Sequence, residues 1–312
     1  MAEKFVKIIH VASELGHVNR KVCLAIGVFD GVHLGHQQII RQTLADAHPH
    51  DAVALVITFD RHPNAVVAPD RVPPQIFSRS QKLCAIAALG VDALLEIPFD
   101  RSFSEKSGEQ FIRELARDLG KIHSVCVGAD FVFGHRRSGN VALLKTLGAE
   151  LHFQVHGHAA VALDGQVVSS TRIRESIRAG DLDAASQMLG RPYAIAGRVV
   201  AGDRLGQQLG FPTANLDATN LALPPNGVYA AVTQWRGQAY RAALNIGVRP
   251  TLAAARPQLR VEAHLLDFSG SLYGEELELE LGAKLRDERR FASPAELREQ
   301  IARDVAAVRA AE

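Results

Sequence analysis

Apolar and polar positions change rhythm part-way along the chain. Up to about residue 180, short continuous apolar runs alternate with stretches of helical spacing. The runs are Val22 to Val28, Ala52 to Phe59 (AVALVITF), Ala93 to Ile97 and Val125 to Val127. The helical stretches are 35–47, 81–89 and 111–119, the last two followed by Gly90 and Gly120. Continuous apolar runs predict strands buried on both faces, and their alternation with helices predicts a parallel sheet covered on both sides. Ligands of such sheets bind beyond the carboxyl ends of the strands.

Past Gly180 the pattern shortens. Residues 178–191 read as a helical connector, and Pro192 opens something different. Val228 to Trp235 and Gln238 to Ile246 flank Arg236-Gly237 as a hairpin, and Val261 to Phe268 and Glu276 to Leu281 read as further strands. Short strands with Gly and Pro turns predict a small antiparallel barrel. Ser293-Pro-Ala-Glu296 is a capping box, and Leu297, Ile301, Val305 and Val308 form a stripe that predicts a helix docked on the barrel. The expected architecture is a Rossmann-like α/β domain with a parallel sheet, residues 1–186, then a small antiparallel β-barrel with a terminal helix, residues 187–312.

Composition narrows the function. Across 312 residues, Lys+Arg and Asp+Glu number 35 and 34, so no global field attracts nucleic acid or a membrane surface. No apolar run approaches the ~20 residues that span a bilayer, and MAEKFVKIIH has no signal-peptide core. A cytoplasmic protein is expected, with small molecules as partners and weak self-association possible. Cys23, Cys84 and Cys126 stand apart in apolar stretches, which predicts core thiols rather than a disulfide framework or zinc site.

Candidate chemistry begins directly after the first strand, in Gly27-Val-Phe-Asp-Gly-Val-His33-Leu-Gly-His36. Gly31 and Gly35 let the backbone approach a phosphate, and the HxGH spacing places two imidazoles at a helix start, where free N–H groups favour an anion. Gly27, Phe29 and Asp30 complete the loop. HxGH alone marks nucleotidyl-transferring enzymes broadly. Ser169-Ser-Thr-Arg-Ile-Arg174 opens a helix later in the same domain, with hydroxyls and guanidiniums suited to the β- and γ-phosphates of ATP.

GVFDGVHLGH, TFDRHP, VGADFVFGHRRSG and SSTRIR, in that order, resemble the adenylyltransferase half of bacterial bifunctional riboflavin kinase/FAD synthetases. The resemblance implies that His33 and His36 contact ATP phosphates while Ser170, Thr171 and Arg174 hold the nucleotide from the other side. It places Gly128, Asp130, Phe131 and Phe133 near the flavin or adenosine, with Asp60, His62 and Pro63 as weaker matches.

The second half has its own signature: Gly197-Arg-Val-Val-Ala-Gly202, Leu205-Gly206, then Gly210-Phe-Pro-Thr213-Ala-Asn215. A glycine-rich loop can wrap phosphates with backbone N–H groups. Thr213 and Asn215, two residues apart on an extended segment, present neutral oxygens to one side and suit Mg²⁺ shared with ATP. GxPTAN, NGVYA, NIGVRPT and VEAHLLDF resemble the riboflavin kinase domain of the same family. That resemblance implies Thr213 and Asn215 at the metal, Gly202 and Gly206 at the phosphates, and Glu262 as the base for the riboflavin 5′-hydroxyl. Desolvation on an apolar strand is the expected means of tuning that base. Asn245, Arg249 and Arg290 are implied on the flavin side, with Phe291 beside them.

Val132, Ala201 and Gln207 depart from the family pattern, which often has Arg, His and a basic residue there. The substrates implied are ATP, riboflavin and FMN, with Mg²⁺ as cofactor. From the residues alone two other readings stay open: an HxGH nucleotidyltransferase for another phosphate ester, and a flavin-binding sensor without catalysis.

Overall fold

A computed structural model of the chain describes residues 6–15, 20–203, 205–249 and 258–310, with the side chains of residues 249 and 258 outside that description. Residue contacts divide the chain into two compact units: residues 1–73 with 79–170, and residues 74–78 with 171–312.

The first unit is built on a parallel sheet of strands β1 (Lys7–Ile9), β2 (Val22–Ile26), β3 (Val53–Phe59), β4 (Ala93–Ile97), β5 (Ile122–Gly128) and β6 (Gln154–His158). Their order across the sheet is β1-β4-β3-β2-β5-β6, with Leu24 opposite both Leu55 and Val125. All five residues of β2 are buried, as expected of a central strand covered on both faces. The longer helices are α1 (Leu34–Ala47), α2 (Arg79–Ala87), α3 (Gly108–Leu119) and α4 (Val141–Leu151). In α3, Ser107 caps the first turn by accepting from the Gln110 N–H, and Gly120 ends the helix at φ 77°. Its buried face (Phe111, Ile112, Leu115, Leu119) packs into the same core as β2, β3 and β5. Each such side chain contributes about 1.5–3 kcal/mol by burial.

The strand order fixes the position of the site. From β2 the chain moves outward through β3 to β4, then returns to place β5 on the other flank of β2. The carboxyl ends of β2 and β5 therefore flank the crevice where the order reverses, the place where open α/β sheets bind ligands. The loops leaving these two strands are the ones that carry His33 and Asp130.

The second unit opens with α5 (Ser170–Ala179, of which Thr171 onward belongs here) and α6 (Leu182–Leu189). The connector expected over 178–191 is thus two helices, broken where Gly180 takes φ 82°. A closed antiparallel barrel follows, from β7 (Ala194–Val200), β8 (Ala214–Asp217), β9 (Gly227–Trp235), β10 (Gln238–Arg249), β11 (Gln258–Leu265) and β12 (Glu276–Arg286), in the order β7-β8-β11-β10-β9-β12. The β9–β10 hairpin turns through Arg236 (φ 48°) and Gly237 (φ 81°), the two left-handed residues that a tight primed turn requires.

Helix α7 (Pro294–Ala310) closes the unit. The Glu296 N–H donates to Ser293 Oγ at 3.3 Å, and Glu296 accepts from the Ala292 N–H at 3.1 Å. Val308 and Val305 pack on Ala230, Ala243 and Leu266 of the barrel side. Arg286 forks onto Asp304 at 2.7–3.0 Å, tying the end of β12 to α7. Of the three thiols, Cys23 and Cys126 are buried, the latter pushed up to about 12 by burial. Cys84 is exposed on α2, which corrects its expected place in the core: its neighbours supply the buried face of that helix.

Candidate active sites

The first site is a strained loop held from several sides. Phe29, Gly31 and Val32 all take positive φ (53°, 80° and 40°), a conformation that costs non-glycine residues about 1–3 kcal/mol each and persists only when its surroundings over-determine it. The restraints are visible. Thr58 Oγ1 donates to Val28 O at 3.1 Å, Gln37 Nε2 to Val32 O at 3.0 Å, and Ser170 Oγ to Asp30 O at 3.1 Å. Ser170 thus brings the start of SSTRIR onto this loop. Thr171 and Arg174 fall in the second unit, where Arg174 Nε donates to Pro74 O at 2.7 Å.

His33 caps α1, its Nδ1 accepting from the His36 N–H at 3.4 Å. That bond leaves Nε2 of a neutral His33 as the N–H donor. The two imidazoles stack, centroids 3.6 Å apart, and Phe29 meets His36 edge-on at 5.2 Å. Burial, with the charge of His33 beside it, pushes His36 well below the usual imidazole range. The glycines make room for these rings: a Cβ on Gly27 would lie 3.0 Å from the Phe29 ring, and one on Gly35 would lie 3.2 Å from His33 Cε1.

On the β5 side, Asp130 is exposed. Phe131 and Phe133 stack with centroids 5.1 Å apart and pack on the core cluster. Gly139 serves the Phe133 ring, which a Cβ there would strike at 2.6 Å. Phe133 is therefore anchored as a wall of the unit, and Phe131 lies on it. Val132 between them is exposed.

Sequence reasoning missed an ionic group beside β3 and β4. Arg79 and Glu96 form a forked ion pair, one arm at 2.7 Å. Lys82 is buried and donates to Phe59 O at 2.6 Å. Burial pushes its ammonium down, while the charges of Glu96 and Asp30 oppose that shift. No sequence signal marked Lys82, since only the fold shows that it is buried.

The second site lies on the barrel. Strand register sets Asn215 of β8 and Asn245 of β10 both opposite Glu262 of β11, so the three residues share one row. Gly202 is small because the Asn215 side chain occupies its Cβ position, with Nδ2, Cγ and Oδ1 2.3–2.7 Å away. Gly206 likewise clears Phe211 O and the Thr213 side chain. A cavity of about 680 Å³ is lined by Gly206, Thr213, Asn215, Asn245, Glu262 and Arg290, among others. A second, more apolar one of about 320 Å³ shares Glu262 and Asn245 and adds Phe211, Phe291, Leu297 and Ile301. A third, of about 190 Å³, is bounded by Gln207, Thr213, Asn215, Phe268 and Tyr273. Thr213 and Asn215 are common to the first and third.

Glu262 is less withdrawn from solvent than its strand predicted. Its side chain keeps 27% exposure and stands 3.3 Å from Arg260, which Asp203 holds at 2.9 Å. Arg260 two residues earlier on the same strand face was the missed element. The Arg249 side chain lies outside the described residues.

The family model for FAD synthetase matches residues 16–172, and that for riboflavin kinase matches 189–311. The bifunctional riboflavin kinase/FMN adenylyltransferase of Escherichia coli K12 is 37% identical over 300 residues, covering 96% of this chain and 95% of the relative. That of Pseudomonas fluorescens is 39% identical over 92% of each chain. The chain belongs to the bifunctional riboflavin kinase/FMN adenylyltransferase family.

The enzyme therefore carries out both steps of flavin cofactor synthesis, phosphorylating riboflavin to FMN with ATP and adenylylating FMN to FAD. A Streptococcus pneumoniae crystal structure described as a macrolide-efflux protein has the same fold over 98% of the enzyme and 100% of that chain, with a TM-score of 0.81 and 26% identity. Among the described residues no helix is long and apolar enough to cross a membrane.

Proposed function

We propose that adenylyl transfer takes place at the His33/His36 loop and phosphoryl transfer on the Asn215–Glu262–Asn245 row, with the functional boundary between domains at 186/187. In the first reaction an FMN phosphate oxygen attacks the α-phosphorus of ATP and pyrophosphate leaves. His33 and His36, on the N-terminal turn of α1, hydrogen-bond the phosphates as charge moves onto the leaving group. Gly27, Phe29, Asp30, Gly31 and Gly35 shape that loop. Ser170, in the same unit, completes the nucleotide site, while Asp130, Phe131 and Phe133 line the flavin side.

In the second reaction the riboflavin 5′-hydroxyl attacks the γ-phosphorus, ADP leaves, and Glu262 takes the hydroxyl proton. The observation that carries this reading is the sharing of Thr213 and Asn215 between two cavities, only one of which contains Glu262. The flavin occupies the Glu262 side, next to Phe291, with Asn245 and Arg290 around it. ATP approaches from the other side, and the transferred group crosses between them. Thr213 and Asn215 fit Mg²⁺: they are neutral oxygen donors, and Gly202 leaves open the space that holds the Asn215 amide. When bound there, Mg²⁺ would neutralise charge on the ATP phosphates. Such chemistry belongs in the cytoplasm, where ATP is supplied.

Incubation of the purified enzyme with riboflavin, ATP and Mg²⁺, with flavins separated over time, tests the arrangement. FMN appearing first and FAD following is the expected course. FMN alone would show that the His33/His36 loop is not a working adenylyl-transfer site.

A further inference from the structure

We propose that Glu288 is a specificity-determining residue of the kinase site, its carboxylate accepting hydrogen bonds from the ribityl hydroxyls of riboflavin. Glu288 follows β12 and lines both cavities that contain Glu262 and Asn245. Two contacts fix its carboxylate. Asn226 Nδ2 donates to Oε2 at 3.1 Å. Beneath it lies Gly247 of β10, where a Cβ would stand 2.3 Å from Oε1 and 2.9 Å from the carboxyl carbon. Gly247 has no left-handed φ to require a glycine. The residue is small because Glu288 rests on it.

The register gives this carboxylate its reach. Asn245 is directly opposite Glu262, and Gly247 is two residues further along the same face of β10, a step of about 7 Å. Glu288 and Glu262 therefore set two carboxylates along one wall, separated by roughly the length of an extended polyol chain. With Glu262 at the terminal hydroxyl, Glu288 meets hydroxyls nearer the ring. A carboxylate accepts from several O–H donors at once, and hydrogen bonds to a charged acceptor are the strong ones. The substrate class selected is a flavin bearing a polyhydroxy side chain. This rests on the reading of Glu262 as the base at the 5′-hydroxyl.

Binding of riboflavin and of lumiflavin, which has the ring system without the ribityl chain, measured on the full chain with ADP and Mg²⁺, separates the possibilities. Glu288→Gln is expected to weaken riboflavin about tenfold, with the same rise in KM for riboflavin, little change in kcat, and unchanged lumiflavin binding. Gly247→Ala, which displaces the carboxylate, should reproduce that loss of selectivity. Riboflavin affinity retained in Glu288→Gln, or riboflavin and lumiflavin weakened together, would overturn the assignment. Failure of the base reading has a different signature: Glu262→Gln would keep its turnover while the Glu288 selectivity effect persisted.

Discussion

The imidazoles of His33 and His36 lie face to face, 3.6 Å between centroids and 19° from parallel. Two imidazolium ions do not share such a stack at neutral pH, because like charges at that distance oppose each other's ionisation. Burial, with the charge of His33 beside it, pushes His36 well below the ordinary imidazole range. On the proposed reading His36 serves as a neutral hydrogen-bond donor on the first turn of α1. Replacing it with Ala should lower FAD formation by about 10²–10³-fold, as for a lost oxyanion-type donor. FMN formation by the same protein should stay near normal. Assaying the two reactions separately, riboflavin with ATP and then FMN with ATP, checks this; an equal fall in both would sink the separate-site view.

The same burial predicts acid sensitivity. A histidine depressed in the folded state takes up its proton more readily when unfolded, so the unfolded chain binds more protons as pH falls below the ordinary value near 6.5. Stability contributed by neutral His36 is therefore present above that value and declines below it. His123 and His158, both lowered by burial, act with the same sign. Thermal melts of the enzyme should show a falling Tm from pH 7.5 to 5.5, and His36→Asn should show a smaller fall. An equal pH dependence in the variant would place the acid-sensitive group elsewhere.

Gly202 offers a steric test of the proposed metal site. A methyl group there would overlap the Asn215 amide at 2.3–2.7 Å, and it cannot be accommodated without moving that side chain. Overpacking of this kind costs about 1–3 kcal/mol, so Gly202→Ala should weaken Mg²⁺-dependent FMN formation by about 10–100-fold. Titration of kinase rate against Mg²⁺ should show a raised requirement for the metal. Conversion of supplied FMN to FAD should be unaffected.

Glu262 provides the chemical counterpart. Its partners Asn215 and Asn245 flank it across two strand pairs, and Arg260 stands on its exposed side. Removing a positioned general base costs about 10²–10⁴-fold. Glu262→Ala should therefore lose FMN formation by that factor while adenylylation of supplied FMN continues. A fully active kinase would show that another group takes the proton.

How much of this was legible beforehand depended on which physics each residue answered to. Central strands β2 to β5 announced themselves because both faces are buried, and the Arg236-Gly237 hairpin because only certain backbones make that turn. Edge strand β6 (QVHGH) escaped notice, since a strand with one open edge and half-buried faces carries no continuous apolar run. The turn after β2, with two histidines at the start of α1, was readable from local spacing. The roles of Gly202 and Gly247 were not, because each glycine is small for the sake of a side chain distant in sequence. Lys82 and Arg260 were missed for a related reason: a single cation has no periodicity, and only the fold reveals that it is buried or paired. Glu262 was read as more desolvated than it is, because Arg260 and the open cavity appear only in three dimensions.

The terminal helix rests on a charge pair as well as on its apolar stripe. Asp304 is buried, with 7% of its side chain exposed against 20% for Arg286, and the guanidinium grips it through Nε and Nη2. Gln300 adds a 2.7 Å hydrogen bond from its amide to the same carboxylate. Removing one member of a buried pair leaves the other charge without compensation, a loss of about 3 kcal/mol. Asp304→Ala should therefore lower the stability of the second unit by about that amount in a denaturant titration, whereas Asp304→Asn, which keeps some hydrogen bonding, should lose less. Because Arg286, Leu297 and Ile301 also border the cavity beside Glu262, the Ala variant should weaken riboflavin binding too. Riboflavin affinity left intact in a destabilised Asp304→Ala enzyme would show that α7 braces the barrel without shaping its flavin cavity.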